Sequence, residues 1–287
     1  MGEYKIKDIE VLTGIKAHTI RMWEKRYNIL EPNRTDTKIR TYSDQDLTYI
    51  LNISILYNSG IKISHIANLK KEEVSQRVLD IKHSDSENQI EEKLVLALIE
   101  MDEVQFIEIM DAYIEKNGII RLFREIIIPF FDRIGIMWLV GSINPAQEHL
   151  ISNLIRQKLI SEIDKLPTPT KNKKIVLFLP EHEWHEVGLL HFNYVLRSNN
   201  IYTYYLGQSL PFDSLCLALE KLSPDIVLSS WLTAIEESFI LDYFKNLTKR
   251  FPRIRFLASG SQIQNFQKSL SKYIVTIHSS EDLVKHI

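Results

Sequence analysis

The run EWHEVGLL, Glu183 to Leu190, sets a histidine two residues after a glutamate and three before a glycine. Directly upstream lies KKIVLFLP, an apolar stretch with the composition of a buried strand. A neutral imidazole nitrogen can bind a transition metal, and a carboxylate on the other ring nitrogen fixes the tautomer and raises ligand basicity. Glu183 and His185 have the side chains for that work. Taken alone, His185 also reads as an ordinary polar residue opening a helix. Two smaller groups follow, Ser230-x-Leu232 and Ser259-Gly260, in which a hydroxyl and a glycine offer hydrogen bonding and close backbone approach. Upstream, nine residues separate Trp138 from the pair Glu148-His149. On chemistry alone, a tryptophan at a helix end packs a core and Glu-His is a common dipeptide. A last group is electrostatic. Between positions 16 and 40, Lys16, Arg21, Lys25, Arg26, Arg34, Lys38 and Arg40 outnumber Glu24, Glu31 and Asp36. A local basic excess of this kind suits a nucleic-acid reader or, more simply, a solvated face.

The elements that must carry these groups fall into three parts. Polar connectors, KHSDSENQIEE after Ile81 and KLPTPTKNKK from Lys165, predict divisions 1–80, 81–166 and 173–287. In the first part, IKDIEVLTG and AHTIRMWEKRY predict two short helices joined at Gly14, a helix-turn-helix. ILEPNRTDTKIRTY predicts a small hairpin with strands at 29–34 and 39–42 around a TDTK turn. Ser43 and Asp46 have the spacing of a helix cap opening the next helix. The second part predicts helices over 91–100, 103–116, 120–139 and 145–166, with apolar residues every three or four positions and short loops, hence a four-helix antiparallel bundle. In the third, apolar strands alternate with helices, which predicts a doubly wound parallel sheet. Ligands in such sheets sit beyond the carboxyl ends of the strands. Glu183, His185 and Gly188 follow the first strand, Ser230 and Leu232 close the third, and Ser259-Gly260 close the fourth. All lie on one sheet edge.

Composition bounds the class. The 287 residues are 45% hydrophobic and 25% charged with a net charge of -2, ordinary for a globular chain. The single cysteine, Cys216, excludes an intrachain disulfide and a cysteine-based zinc finger and suits a reducing compartment. No run reaches the roughly 18 apolar residues of a membrane span. The opening MGEYKIKDIE has no apolar signal core, so a cytoplasmic protein is expected.

TIRMWEKRY, ILEPNRT and RTYSDQDL, in this order and spacing, resemble the winged-helix domain of the MerR family of bacterial transcription regulators. The resemblance covers roughly the first 75 residues. It implies that the second helix, with Lys16, His18, Thr19, Arg21, Lys25 and Arg26, meets the major groove of double-stranded DNA. The hairpin wing would add Arg34, Lys38, Arg40 and Tyr42, with Arg34 and Arg40 on phosphates. Lys16 stands where many relatives carry a serine helix cap. Trp23 resembles the subgroup with a cobalamin-binding C-terminal half. Trp138, Glu148 and His149 are similar to the Trp-x9-Glu-His signature of the cap bundle in cobalamin-dependent photoreceptor regulators. That likeness implies a Trp138 lid over the adenosyl group, with Glu148 and His149 contacting it. Leu139 occupies a position where light-responsive relatives are expected to carry histidine.

The triplet of groups on the sheet edge resembles the signature of the cobalamin-binding Rossmann-like domain, Asp-x-His-x-x-Gly, Ser-x-Leu and Gly-Gly. Here Glu183 replaces the aspartate and Ser259 the first glycine. The resemblance implies adenosylcobalamin as cofactor, with His185 bound to cobalt from below and Glu183 accepting from its other nitrogen. Gly188 and Gly260 would keep a slot open for the displaced base, with Ser230, Leu232 and Ser259 along it. The expected protein is a regulator rather than an enzyme, binding its operator as a homodimer or higher homo-oligomer that responds to the cofactor. The alternatives are the same regulator with an empty or differently filled sensory half, and a corrinoid methyl-transfer component.

Overall fold

A computed structural model describes residues 4–30, 32–34, 40–80, 87–139 and 143–287, which pack as two compact units divided at 154/155. The first unit opens with β1 (Tyr4–Lys5), α1 (Ile6–Thr13) and α2 (Ala17–Tyr27). Then come β2 (Asn33–Arg34), β3 (Arg40–Tyr42), α3 (Asp44–Asn58), α4 (Ile63–Ile66) and α5 (Lys71–Asp80). β3 is central in a small antiparallel sheet of order β1-β3-β2, with Tyr4 opposite Tyr42 and Arg34 opposite Arg40. The two-residue β1 is too short to leave a periodic signal in the sequence. The TDTK turn of the wing lies outside the described residues, as does Ile39. Ser43 caps α3 as its spacing predicts, its hydroxyl accepting from Asp46 N–H at 3.2 Å while the Asp46 carboxylate takes Ser43 N–H at 2.9 Å. Ile50, Leu51, Ile53, Ile55 and Leu56 are all fully buried. α3 is thus apolar nearly all round and runs through the middle of its unit.

The bundle follows: α6 (Glu87–Glu100), α7 (Glu103–Asn117), α8 (Ile119–Leu122), α9 (Ile128–Leu139) and the start of α10 (Pro145–Asp164). α6 packs against α3 and α7. α8 and α9 are the single helix expected over 120–139, broken by a π turn at Phe123–Ile127 in which Ile128 N–H bonds Phe123 C=O. Pro129 explains it. Its ring lacks an N–H and crowds the carbonyl four residues back, so the chain widens by one residue there.

The second unit holds the rest of α10 and then β4 (Lys171–Pro180), α11 (Val187–Ser198), β5 (Ile201–Leu210), α12 (Phe212–Leu222), β6 (Ile226–Ser230) and α13 (Glu237–Arg250). It ends with β7 (Arg255–Ser259), α14 (Ser261–Asn265), α15 (Gln267–Leu270), β8 (Val275–Thr276) and α16 (Ser280–Lys285). The sheet is parallel throughout, in the order β5-β4-β6-β7-β8. Alternate residues of β4 feed two cores. Val176 and Phe178 face α12 and α13 with Trp231 and Phe244; Ile175, Leu177 and Leu179 face α11 and α16 with Leu189, Leu196 and Leu283. Burial on both faces is why these strands read as continuous apolar runs. The chain turns outward from β4 to β5 on one side and crosses to β6 on the other. The carboxyl ends of β4 and β6 therefore flank the switch point of the sheet.

Candidate functional site

Beyond Pro180 the chain turns through His182, at φ +69°, and delivers Glu183 into the switch point. Glu183 is 3% exposed, and its carboxylate is saturated with donors. Leu232 N–H and Thr233 N–H each donate to Oε2 at 2.7 Å. Thr233 Oγ1 and His185 N–H donate to Oε1 at 3.1 Å, and His185 Nδ1 lies 2.6 Å from the same oxygen. Burial alone would raise the acid's pKa; the bonds from His185, Thr233 and Leu232 outweigh it and hold the carboxyl at about 2. An ionised acceptor on Nδ1 places the imidazole proton there and the lone pair on Nε2. The His185 side chain is 61% exposed. The pair is therefore a tautomer-fixed imidazole standing at the carboxyl edge of the sheet, with the chemistry of a metal ligand.

The platform around it is braced. Ser209 N–H bonds Glu183 C=O, Ser209 Oγ accepts from His182 N–H, and Gln208 donates to Trp184 C=O. Buried Glu186 takes the Tyr205 hydroxyl at 2.8 Å and pairs with Arg156. This ties α10, β5 and the mouth of α11 together one residue from His185. Trp184, Leu232 and Phe239 are exposed. They make the same edge of the unit apolar.

The remaining motif residues divide by what they touch. A Cβ added at Gly188, in the first turn of α11, would meet nothing within 4 Å. The protein's own packing does not require that glycine. Gly260 is different: at φ +102° a Cβ would sit 2.2 Å from Trp231 C=O, so the loops after β6 and β7 approach too closely for any side chain. Ser230 and Ser259, buried, face each other in register at the ends of β6 and β7. Trp231 N–H bonds Ser259 C=O at 2.9 Å, and the Trp231 indole bonds Ser229 Oγ. Tyr243, edge-on to Trp231, buries its hydroxyl without a partner among the described residues. A buried phenol in that state is the kind of group a ligand completes.

In the first unit, Trp138 lies in the last turn of α9, while Glu148 ends the first turn of α10 and His149 follows it; Glu148 accepts from Ser152 Oγ at 3.0 Å. On α2, His18, Arg21, Met22 and Lys25 are exposed at helical spacing, with Arg26 beside them and Thr19 half-buried; Ile20 and Trp23 face inward. Trp23 packs edge-on to Tyr57 of α3. The serine cap missing at Lys16 is replaced from the neighbouring helix. Glu10 of α1 accepts Ala17 N–H at 3.1 Å and pairs with Lys16 Nζ at 3.3 Å. Glu24 of α2 pairs with Arg40 at 3.2 Å and takes the Tyr42 hydroxyl. Tyr42, expected among the DNA contacts, is 1% exposed; its ring is buried and its hydroxyl anchors the wing to α2 through Glu24. Arg34 lies on β2 opposite Arg40, and Lys38 falls outside the described residues. Sequence reasoning missed Thr233, Glu186, Glu10 and Met22. Only Met22 was within reach of it, from its spacing with His18, Arg21 and Lys25.

Residues 4–73 match the family of the MerR HTH family regulatory protein, and residues 90–160 match the B12 binding domain. The chain is similar to the HTH-type transcriptional repressor CarH of Myxococcus xanthus, 26% identical over 287 residues, 97% of this chain and 96% of that one. It is likewise similar to the repressor CarA of the same organism, 26% identical over 237 residues, 80% of this chain and 77% of that one. Among solved structures, the monomethylamine corrinoid protein of Methanosarcina barkeri shares the fold at 14% identity and a TM-score of 0.58, over 70% of this chain and 98% of that one.

Proposed function

Since this chain is a DNA-binding regulator of the MerR family with a cobalamin-binding domain, we propose that it senses adenosylcobalamin through His185 and converts occupancy into a change of assembly on its operator. When bound, the cofactor would supply a cobalt centre that accepts an imidazole nitrogen; His185 would hold it and Glu183 would fix the ring's tautomer. The observation that supports this reading is the Glu183–His185 pair: a buried carboxylate against Nδ1, which in the neutral ring favours the proton there and the lone pair on Nε2. Gly188 leaves room beside it, and Ser230, Leu232, Ser259 and Gly260 would border the slot for the displaced base, with the Tyr243 hydroxyl as an added partner. Trp138, Glu148 and His149 are assigned to the adenosyl group.

On the DNA side, His18, Thr19, Arg21, Lys25 and Arg26 read the major groove, with Lys16 at the head of their helix and Arg34, Lys38 and Arg40 on the wing. A two-fold operator needs a homodimer or larger homo-oligomer, and the reducing chemistry suited to Cys216 points to the cytoplasm. No described helix is long and apolar enough to cross a membrane. A corrinoid methyl-transfer component would have the parallel sheet in common with this chain and no use for a helix-turn-helix.

The test is the visible spectrum of the protein mixed with adenosylcobalamin in the dark and desalted, with His185→Ala beside it. A retained spectrum that changes in the variant makes His185 the lower ligand. A colourless wild-type protein removes the cofactor from the mechanism.

A further inference from the structure

Arg133 sits on α9, five residues before Trp138, and is mostly buried. Its guanidinium reaches two elements of the same unit. One nitrogen donates to Leu12 C=O, and the other pairs with Glu91 of α6 at 3.3 Å. Leu12 is the penultimate residue of α1. Carbonyls in the last turn of a helix lack internal donors and carry the negative end of its dipole, so a cation there is favoured. α1 ends through Gly14, whose N–H bonds Glu10 C=O, and the Glu10 side chain then caps the start of α2. The C-terminal end of α1 and the N-terminal end of α2 form one knot of hydrogen bonds, and Arg133 grips it from the bundle. A second tie lies alongside. Buried Glu92 of α6 accepts from Asn58 of α3 at 3.2 Å.

We propose that Arg133 is a positioning residue for the DNA reader, a latch through which α9 sets the orientation of α1 and hence of the α2 recognition face. The latch is built to let go. Arg133 Nε is buried without a partner among the described residues, and an unsatisfied buried donor lowers the cost of releasing the grip. The consequence for sensing rests on the cofactor reading above. Five residues of helix, about 7.5 Å, separate the latch from Trp138, so a shift of α9 imposed at its far end displaces the grip on Leu12.

The experiment uses the full-length chain as wild type, Arg133→Ala and Arg133→Lys. Hydrogen exchange by mass spectrometry reads the latch without any cofactor. In R133A the amides of residues 10–20 should lose protection by about tenfold while those of the bundle keep theirs. R133K should fall between, since an ammonium is a point charge that cannot fork to Leu12 and Glu91 together. Unchanged protection at 10–20, or loss spread equally over the bundle, overturns the latch. Operator affinity with and without adenosylcobalamin reads the coupling. R133A should take up the cofactor with a wild-type spectrum and compress the ratio of the two affinities by about fivefold or more. An uncompressed ratio in a cofactor-loaded R133A overturns the coupling role. A wild-type protein that takes up no cofactor sinks the cofactor reading instead, and exchange alone then decides the latch.

Discussion

Glu183 and Glu92 are both buried carboxylates, and their surroundings push them in opposite directions. Glu183 sits among donors and is held at about 2, so its folded pKa lies below its unfolded value. Such a group contributes stability above the unfolded pKa near 4.5 and loses it as pH falls toward 2. Glu183→Gln should cost about 2 kcal/mol at pH 7, discounted for partial screening, with the cost shrinking at pH 3 in chemical denaturation. Glu92 is lifted to about 7, first by burial, against the pull of Arg133 and Asn58. The folded protein holds that proton between about 4.5 and 7 while the unfolded chain does not, so stability falls as pH rises through this window. Glu92→Gln removes the titration and should add about 1–2 kcal/mol at pH 8 and nothing at pH 4. The first of these residues was legible in the sequence because its partner His185 is two positions away. Thr233 was not, since only the fold brings it fifty residues back to Glu183. Nor does EEKLVLALIE tell which of Glu91 and Glu92 points inward; one step along the helix decides it.

Among elements, the strands of the second unit were readable because both their faces are buried, and the α2 helix because its polar face recurs at three and four. The π turn before α9 was not, because Pro129 after an unbroken apolar run has several remedies and only the packed bundle selects one. The wing shows the same limit. In the sequence its basic residues read as free cations, but the structure spends Arg40 partly on Glu24, which couples the wing to α2. Arg40→Ala should weaken binding to every DNA sequence and flatten the salt dependence by about one phosphate. A weakened affinity with an unchanged salt slope would mean that Arg40 acts through Glu24 alone.

At the scale of the molecule, the chain is two packed units with different tasks, and a lesion in one need not unfold the other. Gly260 offers the sharpest case, because any side chain there collides with the Trp231 backbone. Gly260→Ala should destabilise the unit of residues 155–287 by about 3 kcal/mol or more. Calorimetry should show that transition moving down while the transition of the N-terminal unit stays in place. Specific DNA binding by the same variant would locate the reader wholly in residues before 155. The connectors predict three parts, whereas the chain packs as two units divided at 154/155. Compaction follows a different line, because α3 is apolar on nearly every side and belongs to the reader and the bundle at once.

Trp184 stands exposed beside His185, whereas Trp23 and Trp231 are buried. An indole in water emits to the red of one in a core, and small quenchers reach it. The floor of the site therefore carries its own lamp. Whatever settles over the imidazole should dim the Trp184 share of the red emission and shield it from acrylamide, whether or not that occupant is coloured.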